Sequence, residues 1–272
     1  MRACEPAAHE VLLVDNGSTD GLSPYVKENY PEVELIRSPR NLGFAGGNNL
    51  GILNAGGDVV ILLNDDTEPR VDWLGPLAAA FSANPKLGIA GCQLLYPGTA
   101  KVQHLGGIVH ANGLTDHVGW GNAAHEGGAG LPPLIPADYV TGAAMAIRRE
   151  VLAEVGLLDV GFWPIYFEET DFCHRARGAG WEIATVPASI VVHHESQTTH
   201  AWSQKFLETY HRNRLRYLIK NRTLREWPRT LRAEATWLAH HAPWDQLMPL
   251  AKAYGWLPFI MADVARGHHS PK

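Results

Sequence analysis

Short apolar runs alternate with helical patterns through the first part of the chain, and no other feature of the sequence restricts the fold as strongly. The runs at 11–14 and 59–63 consist of β-forming residues and end in clusters of turn-forming residues, which is typical of buried parallel strands. A third strand is predicted at 33–36, with helices at 22–29 and 72–83. This alternation predicts an α/β fold with a mostly parallel sheet that helices cover on both faces.

Acidic turns follow two strands of this predicted sheet. Asp15 comes after the run at 11–14 and Asp66 after the run at 59–63. We therefore expect both at one edge of one sheet, where ligands bind beyond the carboxyl ends of the strands. The glycine-rich segment 41–49 lies between them and is predicted to be a loop that leads into a helix. Its spacing matches neither GxGxxG nor GxxxxGKS/T, so it does not support a dinucleotide-binding or P-loop site.

The pattern changes in the second half of the chain. Residues 98–136 are rich in Gly and Pro without a clean period, which predicts a long irregular insertion containing a hairpin. From residue 201 the sequence is helical, with breaks expected at three prolines. We expect a domain at 1–200 and a helical extension at 201–272. The remaining elements and breaks predicted here are strands at 183–186 and 190–192, helices at 149–155 and 167–178, and breaks at Pro228, Pro243 and Pro258.

Charge and cysteine content narrow the class of protein. The formal net charge is −5 at pH 7, so the chain as a whole is not a general polyanion binder. The three cysteines are odd in number and form no CxxC, which argues against a disulfide framework and indicates a reducing compartment such as the cytoplasm. The first residues lack the apolar run of a signal peptide, and no run reaches the roughly 18 apolar residues of a spanning helix.

Three clusters of polar residues are candidates for chemistry. The carboxylates of the segment 64–66 suit a divalent cation, although aspartates at a strand end also cap the next helix. Clustered acids at 168–171 suit a general base, although they are equally typical of a helix start, and Asp171 is more simply an i,i+4 partner of Arg175. The histidines at 193 and 194 suit a metal site or a hydrogen-bonded pair.

The order of these motifs carries more information than any one of them. The segments DNGSTDG, NLGFAGGNN, LNDDT, VTGAAMAIRREVLAEVGLLD, YFEETDFCHRARGAGW and VVHHESQTT follow one another between residues 11 and 221. In sequence and spacing they resemble the family 2 glycosyltransferases of GT-A fold, in particular the rhamnosyltransferase-like branch that builds bacterial surface polysaccharides. The resemblance implies an inverting glycosyltransferase that uses a nucleotide-activated sugar, such as dTDP-rhamnose or a UDP-sugar.

The resemblance also implies a donor site. In the family, the acid after the strand preceding DNGSTDG contacts the nucleotide base, the NLGFAGGNN segment lines the nucleotide pocket, and the GAAMAIRRE segment lies beside the donor sugar and the acceptor. The residues at the matching positions, together with the first acid of the LNDDT turn, are Asp15, Asn41, Gly46, Asn48, Asp65, Gly142 and Ala143.

The metal and the base follow from the same resemblance. Asp66 matches the DXD-type ligand of a Mn²⁺ or Mg²⁺ ion, and His193, with Thr198 five residues on, matches the family's late histidine. Glu169 occupies the position of the usual catalytic aspartate, with a reach longer by roughly one ångström, and Glu168 shares or takes this role. His194 is the less favoured member of the histidine pair.

The beginning of the chain departs from the family pattern. The family has an earlier strand and helix, but only ten residues precede Val11, and a strand with its crossover needs about a dozen or more. We therefore expect either a start further upstream or a sheet in which strands lack a neighbour. A non-catalytic nucleotide-sugar-binding remnant is the first alternative function, and a metal-dependent hydrolase is the second.

The last part of the chain is basic and rich in tryptophan. Residues 205–232 contain nine Lys or Arg and two Glu. Such helices suit the anionic inner face of a cell membrane, although a helical tail that packs its tryptophans onto the domain explains the pattern as well. The resemblance adds that acceptors are often lipid-linked glycans. Nucleic acid is not an expected partner, because the basic segment is local and carries no recognised motif.

Overall fold

The computed structural model describes residues 10–194, 203–240 and 247–267. The strands in these ranges are β1 (Leu12–Asn16), β2 (Glu34–Ser38), β3 (Val59–Leu63), β4 (Thr67–Pro69), β5 (Leu87–Leu95), β6 (Val102–His104), β7 (Gly107–Val109), β8 (Thr115–His117), β9 (Ile135–Pro136), β10 (Ala144–Arg148) and β11 (Glu182–His193). The helices are α1 (Leu22–Asn29), α2 (Gly43–Asn54), α3 (Leu74–Ala83), α4 (Arg149–Val155), α5 (Glu168–Gly178), α6 (Gln204–Asn221), α7 (Trp227–His240), α8 (Leu247–Gly255) and α9 (Leu257–Ala265).

The α/β class is confirmed, but the central sheet is mixed rather than mostly parallel. Its main strands run in the order β3-β10-β5-β11-β4, with β6 added to β5 and β9 to β11. Only β5 and β11 pair in parallel, while β10 runs antiparallel to both of its neighbours. Connection length explains part of this result. The turn between β3 and β4 is too short for the crossover that a parallel strand requires, and β4 is antiparallel to β11.

The strands β1 and β2 form a separate parallel pair. The expectation that both acidic turns lie at one edge of one sheet is therefore wrong. Within the described ranges, no strand pairs with the free side of β1 or with the free side of β3, so the ladder is interrupted there. The first three residues of β1 are half-buried rather than buried on both faces, because β1 is an edge strand.

Helix α2 connects the two sheets. Its Ala45 and Ile52 belong to the same apolar cluster as Val60 and Leu62 of β3. Helix α2 also lies so close to β1 that a Cβ atom on Gly51 would be 3.1 Å from the Val14 side chain. The acidic turns after β1 and β3 are thus held near one another by a helix instead of by strand hydrogen bonds.

The core lies on both sides of β5, whose residues are all buried. Helices α2, α4 and α5 cover one face, where Ile89, Met145 and Phe172 meet, and α3 covers the other with Leu77 and Phe81. Coverage of both faces was predicted correctly. The strand β5 itself was not predicted from the sequence.

Several local predictions are corrected. The glycine-rich segment is not a loop, because α2 already begins at Gly43. A single strand, β11, replaces two short strands, with a bulge between Val186 and Ile190. The breaks expected at Pro228 and Pro258 are present, because α7 and α9 each begin one residue before the proline, which lies in a first turn where a missing N–H costs nothing. The predicted hairpin in the insertion is present as β7 and β8, while Pro243 lies outside the described residues.

The C-terminal helices pack onto the rest of the molecule through α6. Arg214 of α6 is fully buried and pairs with Glu234 of α7 at 2.7 Å, and the ring of Trp237 lies beside its guanidinium. Trp227 and Trp237 are half-buried, which favours inward packing for these two, whereas Trp256 is 44% exposed. Trp202 and Trp244 lie outside the described residues. In the described part of the chain, the helices are all too short or too polar to span a bilayer.

Candidate active site

Asn16 connects the turn after β1 to the start of α2. Its Oδ1 accepts a hydrogen bond from the Leu42 amide at 2.9 Å, and its Nδ2 donates to the Gly43 carbonyl at 3.1 Å. A side chain on Gly47 would approach Nδ2 to 2.9 Å, so glycine is required at this position. Sequence analysis missed Asn16, although its place directly after Asp15 in the turn was a usable signal.

Asp15 is 1% exposed, and the turn uses its carboxylate internally. It accepts hydrogen bonds from the Ser23 hydroxyl and, at 2.7 Å, from the Ser18 amide. These bonds hold the pKa of Asp15 below its ordinary value. Arg37 lies 3.5 Å away. Asp15 therefore shapes the turn beside α2 and offers no free carboxylate to a ligand.

The predicted nucleotide segments meet at the beginning of α2. A side chain on Gly142 would lie 2.5 Å from the Phe44 ring, and the Phe44 amide donates to the Pro164 carbonyl at 2.9 Å. The Asn64 amide donates to the Ala143 carbonyl at 3.0 Å, which connects this point to the acidic turn after β3. The segments 41–49, 142–143 and 64–66 therefore line one region.

The other predicted donor residues lie on this region too. Asn41 is exposed and its Oδ1 accepts from the Gly43 amide at 2.8 Å. Asn48 donates to the Phe44 carbonyl at 2.9 Å, within α2. A side chain on Gly46 would lie 2.7 Å from the Leu42 Cβ, so the first turn of α2 is closely packed. Asp65 is exposed at the turn after β3.

Asp66 and His193 face each other because β4 pairs with the end of β11. Thr67 lies opposite His193 in that ladder, and His193 Nε2 lies 3.3 Å from Asp66 Oδ1. The other ring nitrogen, Nδ1, lies 2.7 Å from the Gln103 amide oxygen. Because that oxygen only accepts, Nδ1 carries a proton, and in the neutral imidazole the lone pair of Nε2 is directed toward Asp66.

This pair fits a divalent metal ion. Asp66 Oδ1 is buried and receives no hydrogen bond from the described residues. A carboxylate oxygen and a neutral imidazole lone pair at this separation repel each other unless a proton or a metal cation lies between them, and both groups are good ligands for Mn²⁺. The described residues contain no group of three or more His, Cys, Asp or Glu side chains around a metal position. Further ligands would come from phosphate oxygens and water, as is usual for Mg²⁺ and similar ions.

His194 is not part of this pair. Its Nε2 lies 2.9 Å from a carboxylate oxygen of Glu68, and both side chains are turned to the protein surface. The geometry agrees with the preference for His193. Thr198 lies outside the described residues.

Helix α5 begins with Glu168 and Glu169, and the two residues before it have a strained backbone conformation. Tyr166 and Phe167, directly before them, have φ angles of +82° and +75°, which non-glycine residues rarely adopt. Glu168 is 1% exposed, and none of the described residues donates a hydrogen bond to its carboxylate. Burial first and the charge of Glu169 second raise the pKa of Glu168 well above its ordinary value. Burial also raises the pKa of Glu169 to about 7.

The acid pair and the metal pair share one buried neighbourhood. Burial and then the charge of Glu169 raise the pKa of Tyr139 well above its ordinary value. The Tyr139 ring lies 5.7 Å from that of His104, and the pKa of His104 is lowered mainly by burial and further by His117 and His193. Tyr139 and His104, which sequence analysis did not select, are therefore within electrostatic range of Glu169 and of His193, respectively.

Asp171 has the structural role that its spacing predicted. Its carboxylate accepts from Arg175 at 2.9 Å, from Lys220 at 2.8 Å and from Asn221 at 2.9 Å. Burial opposes ionisation, but these cations and the amide outweigh it and hold the pKa of Asp171 below its ordinary value. Asp171 is therefore a charged anchor for α5.

Comparison with known families decides the class of this site. Residues 3–156 match the family model described as Glycosyl transferase family 2. The chain belongs to this family. The resemblance inferred from the motifs is therefore confirmed, and the site described above lies in a family 2 glycosyltransferase.

Known relatives of this glycosyltransferase include enzymes of bacterial glycan synthesis. N-acetylglucosaminyl-diphospho-decaprenol L-rhamnosyltransferase of Mycobacterium tuberculosis is 28% identical over 223 residues, which are 75% of this chain and 72% of the relative. O-antigen biosynthesis protein RfbC of Myxococcus xanthus is 30% identical over 205 residues, 71% of this chain but 15% of the relative.

Solved structures show the same fold for this glycosyltransferase. The crystal structure of GalNAc-T7 with UDP, GalNAc and Mn²⁺ superposes with a TM-score of 0.63 at 18% identity, covering 94% of this chain and 50% of that chain. At this identity the likeness shows the GT-A fold alone. The chain thus spans half of GalNAc-T7 and less than a fifth of RfbC.

Proposed function

We propose that this glycosyltransferase moves a sugar, with inversion, from dTDP-rhamnose or a UDP-sugar to a hydroxyl group of a glycan or lipid-linked acceptor. The observation that carries the proposal is the Asp66–His193 pair, in which the buried Asp66 Oδ1 receives no hydrogen bond from the described residues. The printed activity of the rhamnosyltransferase relative supports a rhamnosyl donor, and UDP with Mn²⁺ in the GalNAc-T7 structure supports a metal-bound diphosphate.

The donor would lie along the beginning of α2. We assign its contacts to the backbone and side chains at the meeting point of three segments, where Gly142 lets the Phe44 ring pack directly against the backbone. Asp15 supports this pocket by fixing the turn, since its carboxylate is already hydrogen-bonded. The assigned donor contacts are Asn41, Gly46, Asn48, Asp65, Gly142 and Ala143, and Asp15 is assigned to the pocket as the residue that fixes the turn.

Asp66 and His193 would hold the divalent ion, and Gln103 keeps the imidazole in the required tautomer. When bound, a Mn²⁺ or Mg²⁺ ion neutralises the negative charge that develops on the leaving nucleoside diphosphate. Glu169 accepts the proton of the acceptor hydroxyl while that oxygen bonds to the anomeric carbon, and the bond from this carbon to the phosphate oxygen breaks with its electron pair. A pKa of about 7 suits a base that works near neutral pH.

The second candidate function is nucleotide-sugar binding without transfer. The interrupted ladder between β1 and β3 favours it, since two strands near the donor region lack neighbours on one side within the described residues. Both candidate functions require nucleotide binding, which calorimetric titration with UDP and dTDP, with and without Mn²⁺, measures directly. We expect binding that requires Mn²⁺, and absence of binding by folded protein contradicts a donor site. Nucleoside diphosphate release with acceptor present then separates transfer from binding alone.

We further propose that the enzyme contacts an anionic membrane surface, at the inner face of the cell membrane, through α7 and α9. Leu231 on α7 and Phe259 on α9 are 61% and 67% exposed. Exposed large apolar side chains that form a continuous patch usually mark a contact site, and Leu231 and Leu238 stand at a seven-residue spacing that places them on one side of α7. The exposed apolar residues of these two helices and their flanks are Leu224, Leu231, Leu238, Met248, Trp256, Phe259 and Met261.

The charges of this region suit anionic lipids. Arg225, Arg229 and Arg232 are exposed, and none of them forms an ion pair with a described residue. The neighbouring acidic side chains already form ion pairs, since Glu226 pairs with Arg222 and Glu234 pairs with Arg214. The free charge on this surface is therefore positive.

We expect the protein to sediment with vesicles of phosphatidylglycerol and phosphatidylcholine at low salt, and to be released at high salt. Changing Arg225, Arg229 and Arg232 together to Glu should weaken binding by about 100-fold or more, since each basic residue contributes about 1 kcal/mol. The matched control changes the exposed Lys27, Lys86 and Lys101 to Glu, which alters the net charge equally. Equal losses in both variants, or no binding at low salt, would contradict this surface.

A further inference from the structure

The loop that delivers Glu168 and Glu169 has little structure of its own. It runs from Asp159 to Phe167 and contains one short helical turn at Val160–Phe162. Its last two residues have positive φ angles, so the chain must be held in this conformation by its surroundings. The surroundings that do so lie on α6, about 50 residues further along the chain.

Asn213 of α6 binds the middle of this loop. Its side chain is buried, and Nδ2 donates to the carbonyl oxygens of Phe162 at 2.6 Å, Ile165 at 2.9 Å and Tyr166 at 3.1 Å. Its Oδ1 accepts from Arg212 Nε at 3.3 Å, which fixes the orientation of the amide. The two N–H groups of one side chain are thus shared among three carbonyls that no strand or helix would otherwise serve.

The same helix also holds the two ends of the segment. Lys220 donates to Asp159 at 2.7 Å before the loop and to Asp171 at 2.8 Å after the acid pair. The spacing from residue 213 to residue 220 is two turns of helix, so both contacts lie on one face of α6. One face of α6 therefore holds the segment from residue 159 to residue 171 at its middle and at both ends.

We infer that Asn213 is a positioning residue for transfer, because it holds the loop in the conformation that presents Glu169 to the acceptor. This inference rests on the proposed role of Glu169. It also assigns a catalytic purpose to α6, which is more than an extension attached to the domain. Asn213 touches neither the metal pair nor the residues assigned to the donor, so its loss should leave donor binding intact.

Asn213→Ala tests the inference in the full-length protein, with Lys205→Gln as the control on an exposed position of the same helix. We expect kcat for transfer of rhamnose from dTDP-rhamnose to N-acetylglucosaminyl-diphospho-polyprenol to fall by about 10- to 100-fold, the effect of a displacement near one ångström. The donor KM and the affinity for dTDP with Mn²⁺ should stay within about twofold. Asn213→Gln keeps the amide but moves it outward, and it should give an intermediate kcat.

Hydrogen exchange supplies a readout that does not depend on turnover. Peptides covering residues 159–171 should exchange at least about tenfold faster in Asn213→Ala, while those of α2 stay unchanged. If the wild type transfers no sugar, the proposed function fails, and unchanged exchange of the loop would still overturn the holding role of Asn213. Unchanged kcat in a folded Asn213→Ala overturns the inference, as does a parallel loss of kcat, donor affinity and exchange protection throughout the molecule.

Discussion

Replacing Glu169 with glutamine is expected to lower kcat for transfer by about 10²- to 10⁴-fold and to leave nucleotide affinity near that of the wild type. The amide has nearly the shape of the carboxyl group but does not accept a proton, and Glu169 lies on α5 rather than on the donor segments. Steady-state kinetics and calorimetry with dTDP and Mn²⁺ measure the two quantities separately. Preserved turnover would remove Glu169 as the base.

Glu168→Gln is the matched control for this experiment. Burial keeps the carboxyl group of Glu168 neutral to a much higher pH than usual, and the described residues give it no hydrogen-bond donor. An amide of the same shape should therefore change kcat by only a few-fold. A loss in Glu168→Gln with turnover kept in Glu169→Gln would assign the base to Glu168 instead.

The same assignment predicts the pH dependence of turnover. A base must be deprotonated, so kcat should rise as the pH increases through about 7 and level off above it. A solvent-exposed glutamate would instead give a limb near its reference pKa of about 4.3. Groups with a pKa near 7 titrate between roughly pH 5.5 and 8. A kcat that stays constant over this range would contradict a buried carboxylate base.

Much of the secondary structure could be predicted from the sequence because it depends on residues that are close together in the chain. The β-forming run of β3 and the helix α4 lie where the sequence placed them. The strand β5 was missed because a continuous run of apolar and small residues has no period that separates a strand from a buried helix. The mixed sheet was missed because strand direction depends on pairing between distant segments, such as β10 with β3 and β5.

The residues of the candidate site likewise fall into those that a local motif identifies and those that depend on distant contacts. Asp66, His193 and Glu169 stand in motifs and were selected from the sequence. Gln103 was not selected, because it acts on His193 across 90 positions of the chain. Asn213 acts on Phe162 across 51 positions. Side chains that orient a functional group from such distances carry no local signature, so only the folded structure identifies them.

Replacing Asp66 with alanine is expected to remove the Mn²⁺-dependent part of nucleotide binding. Changes to residues that only orient metal ligands cost about 10- to 100-fold in metal affinity, so loss of one of the two proposed ligands should cost at least about 100-fold. Calorimetry with dTDP or UDP, at several Mn²⁺ concentrations, should therefore give the metal-free affinity for Asp66→Ala throughout. Glu68→Ala is the control, because this carboxylate lies two residues away, faces the surface and contacts His194 instead. Unchanged metal dependence in Asp66→Ala would refute the site, whereas loss in both variants would indicate a general effect of charge on this turn.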